Sequence, residues 1–188
     1  MPSSRRPVAR RPPLPPAKTR VAVPILIVVV ALDQFTKAQA ERRLQPEHAP
    51  YQVLGDFVRL TLTHNTGAAM SLSLGDWSRP IFSLVAVLAL MLLYRLFTET
   101  AADARWRAAS IALIAGGAIG NLIDRLMSDR GVTDFIDIGL PIWRFWTFNV
   151  ADIGVTCGAL LLALLFWLDD AEPEPQLFPD GGTNGSLR

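Results

Sequence analysis

A single cysteine, Cys157, among 188 residues excludes an intramolecular disulfide framework and any CxxC metal or redox pair. Two histidines, His48 and His64, are too few for a zinc centre built on imidazoles, and no HExxH motif is present. Charge is scarce as well: 19% of the residues are charged and the formal net charge is +1. No folded segment carries a basic stripe, which argues against a nucleic-acid partner. What the chain has instead is apolar sequence in blocks, 51% of all residues, which excludes disorder over most of its length. The class that remains is a small integral membrane protein. No internal repeat is evident.

A transmembrane helix needs roughly 20 mostly apolar residues, and four segments approach that length. The spans are expected at about 21–41, 80–97, 107–127 and 148–168, forming one membrane domain over 21–168. The third and fourth carry Gly116, Gly117, Gly120, Gly154 and Gly158, small residues that let helices approach closely in a bundle. The first has a rival reading. Arg5, Arg6, Arg10 and Arg11 precede a short apolar run, and Ala38-Gln39-Ala40 has the small-x-small form of a cleavage site, as in a secretory signal.

Lysine and arginine placement sets orientation. The N-terminal tail holds Arg5, Arg6, Arg10, Arg11, Lys18 and Arg20, and the connection between spans two and three holds Arg95, Arg105 and Arg107, whereas acidic residues dilute the bases of 34–79. Both termini are therefore expected inside, with loops 45–79 and 128–147 outside. The loops contain strand-like stretches. Phe57–His64 alternates with Val58, Leu60 and Leu62 on one face, and Val132–Asp137 is followed by Trp143, Phe145 and Trp146, residues typical of the headgroup level. The expected fold is thus an α-helical four-span bundle with a small extracytoplasmic β-sheet or hairpin at the outer membrane–water boundary. The proline-rich basic segment 1–20 and the acidic segment 169–188 read as disordered tails.

Ionisable residues inside spans are costly and are functional candidates by default. Asp33, Asp124 and Asp152 stand out. Asp124 lies about 17 residues beyond Arg107, and Asp152 about 17 residues before Asp169, so at 1.5 Å per residue both sit roughly 25 Å from the inner boundary. Antiparallel spans three and four would bring them to one level. Two carboxylates that meet share a proton, which supplies a general base and a general acid without metal, thiol or hydroxyl. Each is accompanied by an asparagine three residues earlier on the same helix face, Asn121 and Asn149, and Asn149 also suits the N-cap of span four. The plainer account is that each aspartate has a basic partner: Asp124 with Arg125, Asp33 with Lys37 one turn on.

At these residues the chain closely resembles the bacterial lipoprotein signal peptidases, signal peptidase II. The matching stretches are Asp33-Gln34-Phe35-Thr36-Lys37, Asn65-Thr66-Gly67-Ala68-Ala69, Gly120-Asn121-Leu122-Ile123-Asp124-Arg125, Val132-Thr133-Asp134-Phe135-Ile136-Asp137 and Phe148-Asn149-Val150-Ala151-Asp152, five blocks in the family's order. The resemblance assigns Asp33 and Lys37 to the mature protein and so removes the cleaved-signal reading. It implies an aspartic endopeptidase of the bacterial inner membrane with its site at the outer face. Asp124 and Asp152 would be its catalytic pair, and Asn65, Asn121, Arg125 and Asn149 would line the site. Asp33, Asp134 and Asp137 would be in supporting roles, with Lys37, Gly67, Ala68 and Ala151 completing that set. Implied too are diacylglyceryl-modified prolipoproteins as substrates, cut just before the lipidated cysteine, inhibition by globomycin, contact with membrane lipids, and a monomer without metal or cofactor. Met70 departs from a phenylalanine common in the family. His64 is expected at solvent or the site rim, and Cys157 packed within span four. A four-span transporter or channel would instead need a polar route inward, yet spans three and four become apolar inward of Asn121 and beyond Thr156.

Overall fold

The computed structural model describes residues 15–67 and 75–170. Ala68 and Met70 therefore lie outside the described residues, as do most of both tails. Among the described residues are four long helices: α1 (Ala17–Arg43), α2 (Ser78–Glu99), α3 (Arg105–Met127) and α4 (Val150–Asp170). All four are long and apolar enough to cross a membrane, making this a multi-pass membrane protein.

Two helices reach into segments that composition had assigned to disordered tails. α1 begins at Ala17, because Lys18 anchors its first turn. The Lys18 ammonium donates to the carbonyls of Phe97, Thr98 and Thr100 at 2.9, 3.2 and 2.6 Å, satisfying the free carbonyl end of α2. α4 continues to Asp170, and Arg107 pairs with Asp169 while lying over the Phe166 ring at 5.4 Å. These contacts gather the start of α1, the end of α2, the start of α3 and the end of α4 at one end of the bundle.

α3 is the central helix. It packs against α1, α2 and α4, and its buried positions are almost all small: Ala108, Ala109, Ser110, Ala112, Ala115, Gly116, Gly117 and Gly120. A Cβ at Gly117 would strike the carbonyl oxygen of Ala151, and one at Gly120 would come within 2.5 Å of an Asp33 carboxylate oxygen. The glycines of span three thus perform the close approach their spacing implied, and they bring Asn121 opposite the first turn of α4. α2 turns Leu84, Val85, Leu88, Met91 and Leu92 outward, a face suited to hydrocarbon rather than water.

At the other end lies an antiparallel sheet of order β1-β2-β3-β4, formed by β1 (Tyr51–Leu54), β2 (Val58–Asn65), β3 (Val132–Leu140) and β4 (Trp143–Arg144). The outer strands were not evident in the sequence; they form because the two strand-like stretches turn back on themselves. β2 carries an extra residue between Leu60, which faces Ile136, and Thr63, which faces Asp134. This bulge buries both Thr61 and Leu62, so the expected alternation over Val58, Leu60 and Leu62 is broken there. Leu62 packs with Ala40 and Phe135, seating the sheet on the end of α1. Its rim exposes Tyr51, Phe57, Ile142, Trp143, Phe145 and Trp146.

Candidate active site

The first turn of α4 forms a capping box. Asn149 Oδ1 accepts from the backbone N–H of Asp152 at 3.0 Å, and Asp152 Oδ2 accepts from the backbone N–H of Asn149 at 3.1 Å. The spacing Asn-x-x-Asp is that of N-cap and third helical residue, and two orphan donors are satisfied reciprocally. The Asp152 carboxylate is thereby fixed against its own helix start. Its other oxygen accepts from Asn121 Nδ2 of α3 at 2.8 Å.

From Asn121 the network passes to Lys37. Asn121 Oδ1 accepts from the Lys37 ammonium at 2.8 Å and from Asn149 Nδ2 at 3.1 Å. Lys37 is buried and has two further partners, Asp33 Oδ2 at 2.8 Å and Asp124 Oδ2 at 2.9 Å. Three donors meet three acceptors, which satisfies the ammonium completely. The Asp33–Lys37 pair expected from helical spacing is present, but it is one arm of a hub that also holds Asp124. Asp33, with no exposed surface, uses its second oxygen to accept from the Ala151 N–H at 2.9 Å. It thus satisfies a free donor at the N-terminus of α4, where a negative charge is favoured by the helix dipole.

Asp124 is held on both oxygens. Gln34 Nε2 reaches Oδ1 at 3.2 Å, and the backbone N–H of Thr133 reaches Oδ2 at 3.1 Å beside Lys37. Asp124 and Asp152 are therefore joined by the chain Asp124–Lys37–Asn121–Asp152, contributed by α1, α3 and α4. On the sheet side, Asn149 Nδ2 also donates to Asp134 Oδ1 at 2.6 Å, and Asn65 donates to the same carboxylate. Burial, reinforced by the nearby Asp152 charge, pushes Asp134 up to about 7, despite those hydrogen bonds and the Lys37 charge. Arg125 lies within electrostatic reach of Asp152, Asp134 and Asp124, and its guanidinium donates to the Asn121 carbonyl at 3.3 Å. Gly67 is buried beside Asn65, whose Oδ1 accepts from its N–H at 3.0 Å.

Asp137 is not part of this cluster. It accepts from Arg59 at 2.9 Å, from Arg144 at 2.5 Å and from Thr61 at 3.2 Å, and it braces β2, β3 and β4. Burial would raise its carboxyl, but the Arg144 and Arg59 hydrogen bonds and charges hold it below the usual range. The separation from Asp134 follows from strand geometry, since residues three apart on a regular strand face opposite ways. Of the two places expected for His64, solvent or the site rim, the structure gives the second: its side chain is buried, 2.6 Å from Glu41 and 3.3 Å from Glu47, and it lies opposite Thr133, whose N–H donates to Asp124. Cys157 points outward from α4 rather than into the packing.

Three contributors escaped the sequence reading. Gln34 was signalled by being a polar residue in an apolar span. Glu41 was signalled by period, since Asp33, Lys37 and Glu41 recur every fourth residue and form one stripe of α1. Thr133 acts on Asp124 through its backbone and had no side-chain signal. Assembled, the cluster offers two carboxylates on facing helices, each oriented by hydrogen bonds, with an ammonium and a guanidinium close by. That is the equipment for acid–base chemistry on a polar bond near a membrane boundary.

The family model described as Signal peptidase (SPase) II matches residues 25–168. The chain is 40% identical over 147 residues to a lipoprotein signal peptidase of Pseudomonas syringae pv. tomato, covering 74% of this chain and 82% of that one. It is 38% identical over 149 residues to a lipoprotein signal peptidase of Hydrogenovibrio crunogenus, covering 77% and 84%. A solved bacterial membrane enzyme, determined by the in meso method, superposes with a TM-score of 0.73 at 28% identity, over 83% of this chain and 93% of the other.

Proposed function

Because the chain belongs to the signal peptidase II family, we propose that it removes signal peptides from prolipoproteins by an aspartic mechanism, cutting just before a diacylglyceryl-modified cysteine. The observation that carries this reading is the linkage of Asp124 and Asp152 through Asn121 and Lys37. It ties carboxylates from two helices into one hydrogen-bonded network beside the sheet.

In the proposed cycle one carboxylate is ionised and the other protonated. The ionised group takes a proton from water as the water oxygen attacks the scissile carbonyl carbon. The protonated group gives its proton to the carbonyl oxygen, forming a tetrahedral diol. Collapse returns a proton to the cysteine nitrogen and breaks the C–N bond. The products are a new carboxyl end on the signal peptide and a free amine on the lipidated cysteine. Asn121 and Asn149 hold Asp152 in place through these steps, and Gln34 and Lys37 hold Asp124. Arg125 is the nearby cation able to stabilise charge on the carbonyl oxygen.

The reading puts the protein in the bacterial cytoplasmic membrane as a monomer, with both termini in the cytoplasm and the sheet outside, following the basic-residue bias. The substrate suits that depth. A diacylated cysteine is held by its acyl chains at the outer surface while the signal helix runs inward, so the scissile bond meets the site without leaving the interface. Globomycin is the expected inhibitor. The test is turnover of a synthetic diacylated prolipoprotein peptide by purified protein in detergent. Asp124→Asn and Asp152→Asn should each lose at least about 10³-fold, and the double variant should be little worse than either. Activity should survive chelators and Cys157→Ser. Near-normal turnover by either folded single variant would remove that aspartate from the mechanism.

A further inference from the structure

In the half of the bundle away from the candidate site, α1 and α2 both pack on α3 and leave a groove between them. The groove holds about 300 Å³ and is almost wholly apolar. Val23 and Leu26 of α1, Tyr94 and Phe97 of α2, and Ala112 and Ala115 of α3 are among its walls, the two alanines forming the floor. Tyr94 is 71% exposed and Val23 49%, so the groove opens sideways, towards hydrocarbon. A helix, about 10–12 Å across with its side chains, is too wide for that volume, whereas a single extended acyl chain is not.

The Lys18 ammonium marks the inner end of the groove, 5.0 Å from the Phe97 ring centroid. The Lys18 N–H donates to the Ala102 carbonyl at 3.0 Å, which sets the starts of α1 and α3 side by side, and Ala22 clusters with Ala108. Arg20 stands two residues before Ala22 and Arg105 three before Ala108, so at 1.5 Å per residue both lie about 3–5 Å beyond that contact, at one level. Arg20 is one turn before Val23, and Arg105 continues the stripe of Ala108, Ala112 and Ala115. Both arginines are exposed. The nearby acids Glu99 and Asp169 pair with Arg95 and Arg107 instead, and against Lys18, Arg20 and Arg105 stands only the exposed Asp103 among the described side chains of the α2–α3 connection. Neither α1 nor α3 has an acidic residue in its first turn, where the helix dipole favours an anion. We propose that this rim and groove bind an anionic phospholipid of the inner leaflet, with one acyl chain in the groove and the phosphate at Arg20 and Arg105. Charge complementarity selects the headgroup, and the groove's width selects the chain. Naming the leaflet rests on the proposed orientation; the site itself is independent of which carboxylates perform the chemistry.

The test uses the full chain, stripped of lipid in detergent and titrated with dioleoyl phosphatidylglycerol, dioleoyl phosphatidylcholine or soluble glycerol 3-phosphate. Binding is read by native mass spectrometry and by thermal unfolding. Phosphatidylglycerol should bind and raise the unfolding temperature, phosphatidylcholine should bind at least about tenfold more weakly, and glycerol 3-phosphate should not stabilise. Arg20→Gln and Arg105→Gln should each weaken phosphatidylglycerol about fivefold, the worth of one basic residue at an anionic headgroup. Arg95→Gln is the control for a diffuse positive field, because Arg95 lies outside the stripe of α2 that lines the groove; it should bind as the parent does. Ala115→Phe fills the floor and should abolish tight binding although every arginine is kept. Equal affinity for the two lipids overturns the proposal, as do equal losses in Arg95→Gln and Arg105→Gln, or stabilisation by glycerol 3-phosphate that matches phosphatidylglycerol. A folded Ala115→Phe protein with the parent affinity overturns it too. Ala115 is buried, so if that variant does not fold the arginine variants decide alone.

Discussion

Replacing Asp134 by asparagine removes a charge that the fold holds unfavourably above neutrality. Asp134 is 4% exposed, and burial with the Asp152 charge pushes its carboxyl from 3.8 up to about 7. The folded protein therefore binds more protons than the unfolded chain between those two values. Stability from this group is fully present below about pH 4, declines as pH rises towards 7, and is constant above. A separation of about three pH units corresponds to roughly 4 kcal/mol. Asn preserves the size and the acceptor that Asn149 Nδ2 contacts at 2.6 Å, and its new amide nitrogen facing the Asn65 donor offsets only part of the gain. At pH 8 Asp134→Asn should therefore unfold several degrees above the parent protein, and at pH 4 the two should coincide. The assay is thermal unfolding in detergent from pH 4 to 8. Asp137, whose carboxyl is held low, adds the opposite slope to both proteins, so their difference isolates Asp134. A difference that is absent at pH 8, or the same at pH 4 and pH 8, would refute the reasoning.

Three further outcomes follow from the geometry. Asp137→Asn should leave Arg59 and Arg144 without their shared carboxylate and lower stability at pH 7 by roughly 1.5–3 kcal/mol, with turnover within threefold of normal; an unchanged unfolding temperature or a large loss of turnover would contradict the separation of the two clusters. Gly120→Ala would set a Cβ 2.5 Å from Asp33 Oδ2 and 3.3 Å from Ala151 Cβ. It should destabilise by about 1–3 kcal/mol and reduce turnover by displacing Asp33 from the Ala151 N–H, so a fully active, equally stable variant would show that α1 and α4 tolerate separation. In a Cys157→Ser background, Gln52→Cys and Ser128→Cys should react with an impermeant thiol reagent added outside cells and Thr100→Cys should not; labelling of Thr100→Cys from outside would invert the proposed orientation.

The spans were legible because hydrocarbon demands long apolar runs, and their approximate bounds followed from where charge resumes. Counting along two antiparallel helices put Asp124 and Asp152 at one level, and the structure joins them through Lys37 and Asn121 rather than directly; the capping role of Asn149 was legible from its spacing to Asp152. What counting could not supply was direction around each helix. Lys37 looked like a partner for Asp33 alone, because the sequence does not say which helices pack together; the small residues of α3 decide that, and they turn Lys37 towards Asp124 and Asn121. Asp137 was grouped with Asp134 although an odd spacing on a strand already argued for opposite faces. The burial of His64 at the site rim was not legible, because it depends on Glu41 and Glu47 arriving from α1 and the connection after it. The β2 bulge, likewise, is set by pairing with β3 rather than by the local pattern.

The four-residue spacing of Asp33 and Lys37 bears on how the chain enters the bilayer. α1 is made first, before α3 or α4 exists to receive its polar groups. An isolated carboxylate or ammonium deep in a lone helix is expensive to insert, yet here the two lie 2.8 Å apart on the same helical stripe. The nascent span therefore travels with its own counter-ion and presents the translocation machinery with an internally neutral pair. Only when α3 and α4 arrive does Lys37 acquire Asn121 and Asp124, and Asp33 the Ala151 amide. The ion pair that makes the first helix insertable is then the seed on which the later helices dock.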